Sequence, residues 1–335
     1  MKYRIPSNSI LAAGGYLVFT EAHFNAAPGS SNSFAFASTG DEIWLFSGDA
    51  RTNLTGYAYG VRFGAAPNGG TFGRYTNSAG EELFLFEQAN TMGTSNTAPL
   101  IGPVVINEIQ YHPALGGDEF IELRNITTNT IPLFDVARPT NTWRLSGVNY
   151  SFPPGLSLAP NAYLILSRID PTSFRTKYGV PASVQILGPI PGLLQNNGER
   201  LELQRPDEPN VDVIPYITVD SVRYDNHAPW PITADGTGLS LQRRLSSAIG
   251  EDAGNWYASP ITAGRDNAFN PLVRIETAKA TGQIVFSWPA DVTGFALESV
   301  ASLGSTNWVP VSGVVSNHAV LLPGIGTRFF RLRAM

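Results

Sequence analysis

Cysteine is absent from the 335 residues, which excludes disulfide staples, thiolate metal sites and thiol nucleophiles and leaves the redox compartment open. Basic residues are few, 22 Lys plus Arg against 27 Asp plus Glu, for a net charge of −5. A protein that grips phosphate backbones by counterion release needs the opposite balance, so nucleic acid is not an expected partner. No stretch approaches about 18 uninterrupted apolar residues, and Met1-Lys2-Tyr3-Arg4-Ile5-Pro6 has no apolar run behind its charges. Neither a membrane span nor a signal peptide is read in this chain. GxSxG, the Walker glycine loop and GxGxxG do not occur. His23, His112, His227 and His318 show neither HxH nor HxxxH spacing, so no zinc site is read. No cofactor and no catalytic residue is expected, and the chain reads as a non-enzyme.

What is plentiful is turn chemistry. Gly (33) and Pro (25) are too frequent for helical bundles and too irregular for collagen, while 43% apolar content is enough for packed cores. The combination predicts an all-β fold of antiparallel sandwiches, short strands joined by tight turns. Val104–Ile109 and Glu119–Arg124 are strand candidates, the second alternating acidic and apolar residues with period two. Ala162–Leu166 is a short apolar run suited to a strand between layers, and Arg200–Gln204 alternates cleanly. Asn197-Gly198 and Asn68-Gly69-Gly70 mark turns. The one helical signal is Asp170–Gly179, with Asp as N-cap, Pro in the first turn and Gly as stop.

Comparing the chain with itself shows a repeat. Tyr3-Arg4-Ile5-Pro6, Leu11-Ala12 and Tyr16-Leu17-Val18-Phe19 match Tyr150-Ser151-Phe152-Pro153, Leu158-Ala159 and Tyr163-Leu164-Ile165-Leu166 at an offset of 147. Gly40–Leu45 matches Gly198–Leu203 at an offset of 158. Thr71-Phe72-Gly73-Arg74 then matches Ser240-Leu241-Gln242-Arg243, and Gly93-Thr94-Ser95-Asn96 matches Gly264-Arg265-Asp266-Asn267. Order is kept and the offset only grows, as for duplicated domains with loop insertions. The strands read ahead of Tyr150 have no counterpart ahead of Tyr3. The first repeat is therefore read as truncated on its N-terminal side: the chain is a fragment of a longer one, or another segment or partner chain pairs with it in their place. Past Asn267 the pattern changes, and strands at Gln283–Trp288, Phe295–Ser299, Trp308–Val311 and Arg328–Leu332 predict a small separate sandwich running from Leu272 to Arg333. The boundaries so read are 1–101, 102–268 and 269–335.

The second repeat resembles the lamin tail domain. The residues that carry the likeness are Ile106-Asn107-Glu108-Ile109, Glu119–Asn125, Leu158–Tyr163, Asn197-Gly198-Glu199 and Ala263–Asn267. Residues 1 to 98 resemble the later half of such a domain. The C-terminal segment resembles small β modules that end secreted bacterial multidomain proteins, through Phe286–Pro289, Leu297–Ser299, Asn307-Trp308 and Arg328–Leu332. The resemblance implies tandem immunoglobulin-like sandwiches, a scaffold that binds protein or polysaccharide, no shared catalytic residues, and an extracellular or cell-surface location.

Two groups of residues merit a site reading. Glu108, Asp118, Glu119 and Glu122 lie around an expected hairpin, and Asp118 with Glu119 could offer calcium its oxygen ligands. The competing reading is solvated edge charge with a hydrogen-bonded turn. Glu108 is on another strand and Glu122 is an odd number of residues from Glu119, so these carboxylates need not share a face. A glycosidase would need two of them about 5–10 Å apart across a cleft. Among the six tryptophans, Trp44 and Trp288 sit in apolar strand patterns and are expected in cores. Trp230, in His227-Ala228-Pro229-Trp230-Pro231, lies in a Pro-rich loop and is the expected exposed platform for a sugar ring, with His227 beside it.

Overall fold

Turn and cap residues end the elements where their chemistry demands. A computed structural model of the chain describes residues 3–51, 53–210, 213–267, 274–278, 283–288, 295–322 and 327–334. Asp170 caps a helix by accepting from the backbone N–H of Thr172 and Ser173, and Gly179 stops it in the left-handed conformation at φ 61°. A one-turn helix that the sequence did not announce, α1 (Glu21–Phe24), precedes this longer α2 (Pro171–Tyr178). Everything else regular is strand or short 3-10 turn, so the fold is all-β. Among the described residues no helix is long and apolar enough to cross a membrane.

The chain divides into two compact units, Met1–Asn267 and Ala268–Met335. The sequence boundary between residues 268 and 269, and Leu272 and Pro289, lie outside the described residues. The boundary read between residues 101 and 102 falls inside the first unit. There the repeats are joined by contacts such as Ser78 N–H to Asp252 Oδ2 at 3.1 Å.

In the first repeat, β1 (Gly40–Gly48) pairs antiparallel with β2 (Leu54–Gly64), and β3 (Phe72–Thr76) with β4 (Glu82–Phe86). The second repeat builds more. Its strands are β5 (Val104–Gln110), β6 (Phe120–Asn125), β7 (Ile131–Pro132), β8 (Arg144–Ser146), β9 (Tyr150–Ser151), β10 (Ser157–Leu158), β11 (Tyr163–Ser167), β12 (Gln185–Leu187), β13 (Glu199–Pro206), β14 (Tyr216–Tyr224), β15 (Leu239–Arg243) and β16 (Trp256–Pro260). A six-stranded sheet runs β12-β11-β6-β5-β15-β16, a four-stranded one β14-β13-β8-β9, and β7 pairs with β10. One core lies between the two larger sheets, with Ile106, Ile109, Ile121, Leu123, Leu164 and Leu241 from the first, and Leu145, Leu201, Leu203 and Val222 from the second. The other face of the six-stranded sheet is covered by α2 and the segment after β16, through Phe120, Ile165, Phe174, Val180, Val184 and Ala263.

The sequence repeat reappears as repeated geometry. Gly40 and Gly198 hold φ 104° and 103°, where a Cβ would meet the carbonyl oxygens of Phe63 and Tyr224 at 2.5 and 2.6 Å. Gly93 and Gly264 both hold φ 76°, each inside a turn closed at 2.9 Å, Thr94 N–H to Thr91 O and Arg265 N–H to Thr262 O. The Asn96 amide donates to Arg74 O at 3.2 Å, as the Asn267 amide donates to Arg243 O at 2.8 Å. Tyr16 Oη lies 3.1 Å from Ser95 Oγ, as Tyr163 Oη donates to Asp266 Oδ1 at 2.6 Å.

One expected element does not form. Residues 16–19, the match to β11, lie outside any strand. β11 is a strand because β6 and β12 supply its ladder partners, and the first repeat has no counterpart of β6. Its small sheet is also left open: Ile43 and Leu45 are 40% and 46% exposed, whereas their matches Leu201 and Leu203 are fully buried. Trp44, expected in a core, is 50% exposed and stacks beside Phe46 across from Gly60.

The second unit has strands β17 (Arg274–Ala278), β18 (Gln283–Ser287), β19 (Phe295–Val300), β20 (Val309–Pro310), β21 (His318–Leu321) and β22 (Phe329–Ala334). They form two three-stranded sheets, β17-β18-β21 and β20-β19-β22, around Phe286, Trp288, Leu297 and Ala319. Trp288 is in this core, as its strand pattern predicts.

Candidate functional site

Asp118 and Glu119 lie between β5 and β6, and His227 and Trp230 between β14 and β15. They do not form one site. The Asp118 carboxylate pairs with Lys177 Nζ and accepts from Tyr178 Oη at 3.0 Å, while its own N–H donates to Tyr178 Oη at 2.9 Å. It fastens α2 to the hairpin, and this bond raises the Lys177 ammonium pKa. Glu119 accepts instead from Leu194 N–H at 3.0 Å, and partial burial moves its pKa upward. The two carboxylates are thus held by different partners, and among the described residues no group of three or more metal-ligating side chains exists. The calcium expectation for Asp118 and Glu119 has no ligand set to rest on.

Trp230 corrects the sequence reading outright. It is 8% exposed and packs on Trp256, ring centroids 6.1 Å apart. A turn bond from Trp230 N–H to His227 O at 3.0 Å folds the Pro-rich loop back and carries the indole into the core. His227 stays outside, its ring 2.9 Å from Asp225 Oδ1. Trp230→Phe is expected to lower stability by about 1–2 kcal/mol, read as a shifted urea midpoint.

Beside this loop, His112 Nδ1 pairs with Asp235, whose carboxyl is held below its ordinary range chiefly by that bond. Asn226 donates to the same carboxylate at 3.3 Å. Next to them Tyr111 is buried with its ring 4.8 Å from Tyr224, and burial pushes its hydroxyl up to about 12. A His–Asp pair becomes a hydrolytic device when a hydroxyl nucleophile bonds the ring. Among the described residues none bonds His112.

The most demanding chemistry in the molecule is elsewhere, at a buried pair of carboxylates. A β-bulge between Ile106 and Glu108 shifts the register of β5 against β6, so that Ile109 turns into the core and Glu108 lands opposite Glu122 on the other face. Both are fully buried. Glu108 Oε1 accepts from Ser240 Oγ at 2.5 Å, Thr262 N–H at 3.0 Å and Gln242 Nε2 at 3.3 Å, and its Oε2 accepts from Thr262 Oγ1 at 2.9 Å. Glu122 accepts from Asn107 Nδ2 at 2.7 Å and Gly264 N–H at 2.5 Å. Burial pushes both carboxyls upward, and for Glu122 the neighbouring Glu108 adds to it.

No protein-family model, curated protein or solved structure matches this chain.

The carboxylate pair therefore has to be interpreted from its own contacts. Two of its donors are backbone N–H groups of the Thr262–Asn267 segment. The pair is a latch that pins the end of the second repeat over β5 and β6. The sequence offered a signal for it in the two Glu of adjacent strands, but only the bulge makes them neighbours.

A cleft of about 420 Å³ between the repeats is lined by Phe63, Phe72, Phe86, Arg144, Arg200 and Tyr216, among others. Its guanidiniums are already engaged: Arg144 lies over the Tyr216 ring at 3.7 Å, and Arg200 pairs with Glu251 at 2.7 Å and Glu202 at 2.9 Å.

Proposed function

We propose that this chain is a non-catalytic interaction and scaffold module of a secreted or surface-associated bacterial protein, built from tandem immunoglobulin-like sandwiches of the lamin-tail type with a small sandwich at its C-terminal end. The observation that carries this reading is the open inner face of the β1–β2 sheet, with Ile43 and Leu45 exposed where their matches in the second repeat are buried. The polar clusters support it in turn, because their carboxylates are spent on holding loops, helices and sheet faces together. A protein partner suits an apolar sheet face better than a polysaccharide does, since the candidate sugar platform, Trp230, is buried.

A native-state test uses an apolar fluorescent dye. Wild type is expected to enhance the dye's emission without denaturant, and Ile43→Lys with Leu45→Lys to remove more than about half of that signal while leaving the unfolding midpoint nearly unchanged. Turnover of an ester or glycoside that disappears in His112→Ala would overturn the non-catalytic reading. A second reading, a spacer assembling through sheet edges, draws on the two-stranded β3–β4 sheet, in which β3 has no strand partner other than β4 among the described residues.

A further inference from the structure

We propose that the first repeat is a receptor for a β-hairpin of defined chemistry, supplied from outside these residues: it adds to the edge of β3, carries a carboxylate at the position of Glu122, and is neutral at the position of Glu108. The proposal rests on the scaffold reading above and names its partner.

The second repeat shows what the first would hold. Between β11 and β15 it places two strands, β6 and β5, with β15 pairing to β5 at Leu241↔Ile109 and Gln242↔Glu108. In the first repeat the match to β15 is β3, which among the described residues pairs only with β4, and the match to β11 is residues 16–19, which lie outside any strand. Both flanks are nevertheless built: the Tyr16–Ser95 contact repeats Tyr163–Asp266, and Gly93 repeats the φ of Gly264. In the second repeat two strands fill the place between these flanks, and Ile43 and Leu45, the matches of core residues Leu201 and Leu203, are exposed. A row of unpaired backbone groups beside exposed apolar side chains is what strand addition requires.

The socket that receives Glu108 in the second repeat also exists in the first, and it is already filled. Ser240 and Thr262 are matched by Thr71 and Thr91, whose hydroxyls donate to Glu87 Oε2 at 3.2 and 2.8 Å. Thr97 N–H donates to the other oxygen at 2.9 Å. The match to Gln242 is Gly73, where a Cβ would lie 2.6 Å from the Glu87 carboxyl carbon, so this carboxylate takes the room of the absent side chain. Glu87 is 5% exposed. A second carboxylate brought to this socket would meet Glu87 with its donors already used. The socket of Glu122 is different: Gly264 N–H donates to Glu122, whereas Gly93 is exposed and its N–H bonds to no protein group among the described residues. An incoming Glu at that place gains a charge-assisted bond.

This pattern also argues against exchange of β5 and β6 between two copies of the chain, because that hairpin carries Glu108. The test is fluorescence anisotropy of labelled peptides spanning residues 102–126, titrated with the full chain. The peptide with Glu108→Gln is expected to bind at least about tenfold more tightly than the peptide with Glu122→Gln. Leu45→Lys in the chain should abolish binding. In a Glu87→Ala chain the preference moves toward the peptide that keeps Glu108, and Glu87→Gln serves the same purpose if the alanine variant does not fold. Equal binding of both peptides, or none at all, overturns the proposal even if the dye result stands. So does a concentration-dependent dimer of the wild-type chain that the peptides fail to dissociate.

Discussion

Glu108→Ala is expected to destabilise the first unit by about 3–5 kcal/mol, measured by urea unfolding followed through tryptophan emission. The substitution removes the acceptor of the buried Ser240 Oγ and of the half-buried Thr262 N–H and Oγ1, all donors to this one carboxylate. It also removes one of the anchors of the Thr262–Asn267 segment, leaving Glu122, Asn107, Tyr163 and Arg243 to hold it. The double variant with Glu122→Ala should cost more than the sum of the two single ones, because each single variant already relieves the repulsion between the carboxylates, which the double variant can relieve only once. The same site sets a pH dependence. Both folded carboxyls titrate above their ordinary value near 4.5, so over the interval between that value and the raised one the native state binds more protons than the unfolded chain. Stability from this site is complete below the ordinary value and is lost as pH rises through the raised one. Melting temperatures from about pH 5 to about pH 8 should therefore fall more steeply for wild type than for Glu122→Gln.

Arg243→Ala is expected to cost a similar amount, about 3–5 kcal/mol. Arg243 is fully buried and grips Asp220 with two nitrogens, at 2.6 and 3.2 Å, while also donating to Ile106 O at 3.0 Å and Ala248 O at 2.5 Å. Asp220 in turn accepts from Ile106 N–H at 2.8 Å. This network ties β5, β14 and β15 to one another, so truncation leaves a buried carboxylate without its counter-charge and two carbonyls without donors. Arg243→Lys keeps the charge but loses the planar fork, and should fall between wild type and alanine. The matched residue of the first repeat is a control built into the chain. Arg74 is well exposed and reaches Glu82 at 3.4 Å. Arg74→Ala should change stability by less than about 1 kcal/mol in the same assay. One sequence position thus has two very different energetic values, decided by whether a second sheet covers it.

Several elements were readable without coordinates because their causes are local. The Asp170 cap, the proline after it and Gly179 act within α2, and the turn at Asn197-Gly198 acts within a few residues. The strands of the second repeat follow from runs such as Tyr163–Ser167, and the duplication follows from matched residues that turned out to share dihedral angles and hydrogen bonds. Residues 16–19 mark the limit of that logic. They have a strand's composition, but a strand is a paired state and their pairing partner is absent from the first repeat.

The candidate site was far less legible. Trp230 looks like a loop residue by its neighbours, and only the fold of the loop onto Trp256 makes it core. Glu108 and Glu122 were readable only as residues of two different strands, and the bulge at Asn107 is what sets them opposite each other. Glu87 carries no sequence signal at all: its role follows from the local fold that brings Thr71, Thr91 and Thr97 onto one carboxylate.

By itself, then, the sequence determined that this is an all-β chain, where its turns and its longer helix lie, that it contains a repeat, and that it has no thiol chemistry. The tertiary structure alone decided which carboxylates are buried together, which arginine is a core residue and which face is left uncovered. The physical reason is range. Caps, turns and alternation are set by neighbours a few residues away, whereas burial and charge pairing depend on strands brought together from far apart, and a single inserted residue is enough to reverse which side chains meet.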